Sequence, residues 1–225
     1  MIDLPPRRGM GRALSLTAAL SALAVPAFAQ NVIVNQEERP NPWIVNGCTI
    51  APKTSCPGVD LRHADLKNAD LSGADLTGAN LARADLRHVN LRGAKLDGAN
   101  LSGAQLQIAF MQGAKATQAK FIGANLDHAR IAGADFSGSD FTVAVLEMVQ
   151  ATRTIFQRAT FKDADLQEAK LYGANLANAS MEGALIRFAI FQDAWMEGCS
   201  TCPQHWQTGK PVWEEFPEES LEKKP

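Results

Sequence analysis

The chain has 225 residues, of which 46% are apolar, 20% charged and 7% aromatic, and its formal charge is −2. That apolar content excludes intrinsic disorder as the general state. Near charge balance excludes a basic nucleic-acid clamp.

Residues 1–29 read as an address. Arg7, Arg8 and Arg12 precede an apolar run from Ala13 to Val25, and Ala27-Phe28-Ala29 matches a small-residue cleavage site, placing the mature start at Gln30. The run is shorter than the ~20 apolar residues that span a bilayer, so no membrane span is expected after cleavage. Arg7-Arg8 suggests a twin-arginine signal, but Gly9-Met10-Gly11 fits that motif poorly. The expected location is periplasmic or secreted, in a bacterial cell, where disulfides form. Residues 30–58, with Pro40, Pro42, Trp43, Pro52 and Pro57, form an expected N-terminal cap.

From Leu61 to Met196, every fifth residue is apolar without a slip, 28 positions in all. Two residues earlier a second column is Ala in all cases but Val59, Val89, Ser139, Val149 and Thr154. An α-helix cannot hold such a period, because its faces recur every ~3.6 residues. A three-residue strand followed by a two-residue corner can, since residues two apart point the same way. In Ala74-Asp75-Leu76-Thr77-Gly78, Ala74 and Leu76 then point inward, Asp75 points outward, and Thr77-Gly78 turns the chain. Gly supplies the positive φ of a type II turn.

Sorted with a period of twenty, one second-corner column holds no Gly: Asn68, His88, Ile108, His128, Met148, Glu168 and Phe188. This predicts four sides per coil, with one edge using a turn that needs no positive φ. The Ala-(Asp/Asn)-Leu-x-x pattern over 59–198 resembles the pentapeptide repeat family. That resemblance implies an all-β fold, a right-handed quadrilateral β-helix of about seven coils, roughly 30–35 Å long at strand spacing. Some members of that family resemble duplex DNA and bind type II topoisomerases. Here, 14 Lys and Arg interleave with 16 Asp and Glu over 59–198, which speaks against such mimicry and against nucleic-acid binding. Within the inward column, Ala116 and Ala151 are undersized. Either Phe121, Phe136, Phe141, Phe156 and Phe161 fill that volume or a small cavity remains.

Residues 199–225 form an expected C-terminal cap and acidic tail. Cys48 and Cys56 precede the coils, while Cys199 and Cys202 follow them. Pairs cannot bridge a ~30 Å rod, so Cys48–Cys56 and Cys199–Cys202 are the expected structural disulfides. The alternative is a thiol redox pair or a metal site at Cys199 and Cys202 with His205. His63, His88 and His128 fall on corners and read as solvated. No phosphate loop, nucleophile elbow or paired-carboxylate cleft occurs, so no enzyme, metal or cofactor is expected.

Outward apolar residues break the polar pattern. Val145, Leu185 and Ile190 take outward strand positions, Ile108, Met148 and Phe188 take the Gly-free edge, and Phe110 lies on the next face. Such a cluster marks a covering segment or a protein partner, including a second copy of the chain. A non-enzymatic interaction scaffold is the expected function.

Overall fold

The computed structural model describes residues 40–203. Residues 1–39, with the segment read as a signal, and residues 204–225, with the expected acidic tail and His205, Trp206 and Trp213, lie outside the described residues. Among the described residues, no helix is long and apolar enough to cross a membrane.

Every outward residue pairs in parallel with the residue twenty positions on, from Ser55↔Asp75 through Ser180↔Ser200. The coil therefore has four sides. The ladder uses two bonds per side: Leu66 N–H donates to the Asp85 carbonyl at 2.8 Å, and Asp85 N–H donates to the Ala64 carbonyl at 2.9 Å. Corners close on themselves, as where Ala69 N–H donates to the Leu66 carbonyl at 3.0 Å. Backbone groups are thereby satisfied without long strands.

The expectation for the Gly-free edge is wrong. Asn68, His88, Ile108, His128, Met148, Glu168 and Phe188 all have positive φ, between 52° and 61°. The cause lies in the ladder. From Lys53 to Asn178 the second-corner N–H also donates to the next coil, as Asn68 does to the Arg87 carbonyl at 3.0 Å and Ile108 to the Asp127 carbonyl at 2.9 Å. Stacking requires the same turn on all four edges, whatever side chain occupies it. Positive φ at the third turn residue makes every corner type II.

Both inward columns are sealed along the middle coils and open partly at the ends, at Val59 and Ala64 and at Ala184, Ile186 and Met196. Leu61 through Leu176 on the five-residue clock are 0% exposed, including Ala116 and Ala151. Phe121, Phe141 and Phe161 stack at 4.8 and 5.1 Å between centroids, and Phe136 stacks on Phe156 at 5.6 Å. Edge contacts at 5.1–5.8 Å join the two stacks into one aromatic block. The two hydroxyls in the Ala column are satisfied: Ser139 Oγ donates to the Ala116 carbonyl and Thr154 Oγ1 to the Ile131 carbonyl, at 2.5 and 2.9 Å.

Coil geometry begins at residue 51, ahead of the boundary at 59 that the inward columns suggest. Pro52-Lys53 and Pro57-Gly58 are corners, with φ of 57° at Lys53 and 67° at Gly58. Proline followed by glycine suits the two central positions of a type II turn. Before them stands a hairpin of β1, Ile44–Val45, and β2, Cys48–Thr49. Its central residues Asn46 and Gly47 both have positive φ, 48° and 81°, the type I′ signature. Trp43, Val45, Cys48 and Ile50 pack from this segment onto the core.

Candidate partner-binding surface

The outward position has a structural role that the alternation alone does not reveal. Every Asp or Asn there, thirteen residues from Asp60 to Asn175, accepts the backbone N–H two residues on through its Oδ1, at 2.9–3.3 Å. This Asx turn satisfies the one corner amide that the ladder leaves over. The charges respond accordingly. Asp60 and Asp85 titrate below the usual range chiefly because the side chains of Arg62 and Arg87 donate to them. Asp70 is lowered first by the Ser72 N–H and Asp75 first by the Thr77 hydroxyl. The Asp ladder at Asp60, Asp65, Asp70 and Asp75 is thus turn chemistry.

The chain uses this device less often toward its C-terminal half, where Asp135, Asp140, Asp165 and Asn175 keep it. The seven outward positions from Asp60 to Asn90 are all Asp or Asn, whereas Val145, Ile155, Leu185, Ile190 and Trp195 are apolar. Corners show a second departure. Ile108, Val143, Met148 and Phe188 hold left-handed φ of 59°, 51°, 52° and 61°. A β-branched residue such as Ile108 or Val143 is strained there, by roughly 1–2 kcal/mol. The strain is not offset by full burial, since Val143 is 51% and Ile108 39% exposed.

The seven residues singled out from the sequence share one edge and its two flanking faces, in three groups. Ile108 and Phe110 lie lowest, Val145 and Met148 two coils on, and Leu185, Phe188 and Ile190 two coils further. Polar coils separate the groups: the one carrying Asn125, His128 and Arg130, and the one carrying Asp165, Glu168 and Lys170. Phe110 is flanked by Arg92 and Arg130, whose guanidinium carbons sit 4.5 and 5.3 Å from its centroid, and Arg187 covers Phe188 at 4.7 Å.

Val143 was missed by the sequence argument. It completes a strip across one side of a single coil, running Val143, Val145, Met148. Its Cγ2 extends over Gly123 on the coil below, beside the exposed Ile122. The signal for it was present: once all corners are left-handed, any β-branched residue in the second corner position is an anomaly.

Cys48 lies beside Cys56 and Cys199 beside Cys202, with Cα atoms 5.7 and 5.8 Å apart, separations that a disulfide spans. His63, His88 and His128 sit on corners with left-handed φ. His128 Nδ1 is 2.6 Å from Asp127 Oδ1. Among the described residues, no three His, Cys, Asp or Glu side chains converge on a metal position.

A four-sided coil with both inward columns buried and its variable chemistry facing outward defines a class of solenoid. The family described as Pentapeptide repeats matches in overlapping copies across residues 54–200, and the chain belongs to that family. The fold is its right-handed quadrilateral β-helix. Among solved structures, the chain is similar to a trypsin-treated variant of QnrB1, a plasmid-mediated fluoroquinolone resistance protein, at 15% identity. That match covers 66% of this chain and 72% of the other, with a TM-score of 0.38. HetL of Nostoc sp. strain PCC 7120, involved in heterocyst differentiation regulation, is 25% identical over 66% of this chain and 89% of its own, with a TM-score of 0.21. A pentapeptide repeat protein of the Arabidopsis thaliana thylakoid lumen is 28% identical over 49% of this chain and 66% of its own, with a TM-score of 0.21. No curated protein matches the chain by sequence.

Proposed function

We propose that the chain is an exported, non-enzymatic scaffold that binds a protein, another polypeptide or a second copy, through the strip of Val143, Val145 and Met148. The observation that carries this is strain without burial. Left-handed corners accept Gly or Asn at little cost and strain a β-branched residue most, yet half-exposed Val143 occupies one, with apolar Val145 and Met148 beside it on the same coil. Departures from a locally favourable rule, repeated side by side on an accessible face, mark a functional surface. What supports export is the apolar run from Ala13 to Val25 behind Arg7, Arg8 and Arg12, followed by the cleavage pattern Ala27-Phe28-Ala29. In that compartment Cys48–Cys56 and Cys199–Cys202 are structural disulfides. Turn-engaged carboxylates interleaved with Lys and Arg do not suit a DNA-like surface.

Two measurements test this. Intact mass of the exported protein should give an N-terminus at Gln30, and a chain retaining Met1 would contradict export. Sedimentation and partner capture should change on Val143→Lys with Met148→Lys while melting stays within a few degrees. Unchanged binding in that variant would remove the strip from the account.

A further inference from the structure

One side of the coil is cationic although the repeats as a whole are slightly acidic. Its outward positions pair in parallel from Asn90 through Phe110, Arg130 and Gln150 to Lys170. Together with the corner that follows each of them, this side holds Arg92, Arg130, Arg153 and Lys170 and no Asp or Glu. At ~4.8 Å per coil it runs roughly 20 Å along the axis. Elsewhere an arginine is neutralised by its own corner. Arg62 and Arg87 pair with the carboxylates two residues before them, Asp60 and Asp85, at 2.6 and 2.5 Å. Arg92 has Asn90 in that place, and meets only a neutral amide oxygen at 3.4 Å. Asp70, one coil below, is engaged by the Ser72 N–H and the Asn90 amide. Among the described residues, neither Arg92 nor Arg130 has a carboxylate within ion-pair distance. Both are exposed, and both stand against Phe110, with guanidinium carbons 4.5 and 5.3 Å from its centroid. Stacking on a ring orders the planar fork that pairs with carboxylates in advance of any ligand.

The backbone of this side is already paired: Leu91 N–H donates to the Phe110 carbonyl at 2.7 Å, and Phe110 N–H to the Val89 carbonyl at 2.9 Å. Recognition there falls to side chains. Same-side residues of an extended peptide recur every ~6.6 Å, out of step with coils ~4.8 Å apart. A linear glycan advances one sugar in about one coil spacing. Gln112, Gln150 and Thr152, interleaved with the cations, suit its hydroxyls.

We propose that this side binds a linear acidic polysaccharide, a chain of carboxylate-bearing sugars, laid along the coil axis. Arg92 and Arg130 across Phe110 anchor it, and Arg153 and Lys170 extend the contact. The site does not depend on the strip around Val143. Calorimetric titration of the full chain with oligoalginate and with oligogalacturonate tests it, beside dextran, poly-L-glutamate and phosphatidylglycerol vesicles. At least one uronate oligomer should bind, more weakly as salt rises, while dextran should not. Arg92→Gln with Arg130→Gln should weaken that binding roughly tenfold or more, the scale for losing charge-assisted pairs. Asn90→Asp should weaken it too, although both arginines remain, because it gives Arg92 the internal carboxylate that Arg62 and Arg87 have. Val143→Lys with Met148→Lys should not weaken it. Failure of both uronate oligomers to bind would overturn the proposal, as would full affinity in the Arg92, Arg130 variant at unchanged melting temperature. Equal or tighter binding of poly-L-glutamate or of the vesicles would also overturn it, assigning the face to an acidic polypeptide or a membrane surface.

Discussion

Replacing Asp140 separates what its acceptor does from what its charge does. Its Oδ1 accepts the Thr142 N–H at 2.9 Å and the Thr142 hydroxyl at 2.6 Å. Asp140→Asn keeps that oxygen, whereas Asp140→Ala removes it and leaves the corner amide to water. Side-chain acceptors that serve orphan amides contribute about 1 kcal/mol, within a range of 0.5–2. Asp70, on the opposite side of the coil, accepts the Ser72 N–H at 3.0 Å and the Asn90 amide at 2.9 Å. Distant sites add, so the double Ala variant should lose about 2 kcal/mol and the double Asn variant less than about 0.5. Urea unfolding reads this directly. For an m-value of about 2 kcal/mol/M, the double Ala midpoint falls by roughly 1 M at constant slope. Equal losses in the Asn and Ala variants would show that charge, not turn geometry, explains the outward Asp column. No loss in either would refute the Asx role altogether.

Acid should weaken the fold through the same groups. Asp60, Asp70, Asp75 and Asp85 titrate below their ordinary 3.8 in the folded chain, so their contribution is present above about pH 4 and is lost as pH falls through the lowered values. Replacing all four by Asn should flatten stability below pH 4 as followed by circular dichroism. Val143→Asn and Ile108→Asn relieve left-handed strain and should raise stability by up to about 1 kcal/mol in urea titrations, whereas Val145→Asn gains no such relief. Phe141, 0% exposed among Phe121, Phe136, Phe156 and Phe161, should cost about 3–5 kcal/mol as Ala and less than half of that as Leu. Ala116→Leu should overpack by about 1–3 kcal/mol, and Phe136→Leu should rescue it; strict additivity in the double variant would show that Phe136 does not fill the space over Ala116.

Much of the architecture was legible because a five-residue clock admits few solutions. Leu61 to Met196 dictated side length, inward columns and corners, and the period of twenty in the Gly pattern pointed to four sides. The inference drawn from the Gly-free edge failed because a missing Gly says nothing about φ when neighbouring coils impose it. His88 and Met148 take left-handed corners because their amides must meet Gln107 and Gln167 on the next coil. The opening coil was hidden by Ala51, Thr54 and Cys56, which hold inward places without looking like the Leu and Ala that follow. The hairpin was readable in Asn46-Gly47 but stood between segments too short to show alternation. For the surface, outward polarity was evident in sequence, while the Asx bond behind it needed coordinates. The seven candidate residues do share an edge, but their separation by polar coils follows from which coil each occupies, and only Val143 made one group continuous.

The central claim concerns that continuous strip, and partner retention measures it most directly. Immobilised exported protein is compared with its Val143→Lys, Met148→Lys variant for capture from an envelope fraction, alongside sedimentation of both free proteins. The account predicts that the native chain retains a defined polypeptide, itself or another, that the variant loses at unchanged melting temperature. Equal retention by both proteins, or self-association identical in both, would contradict it.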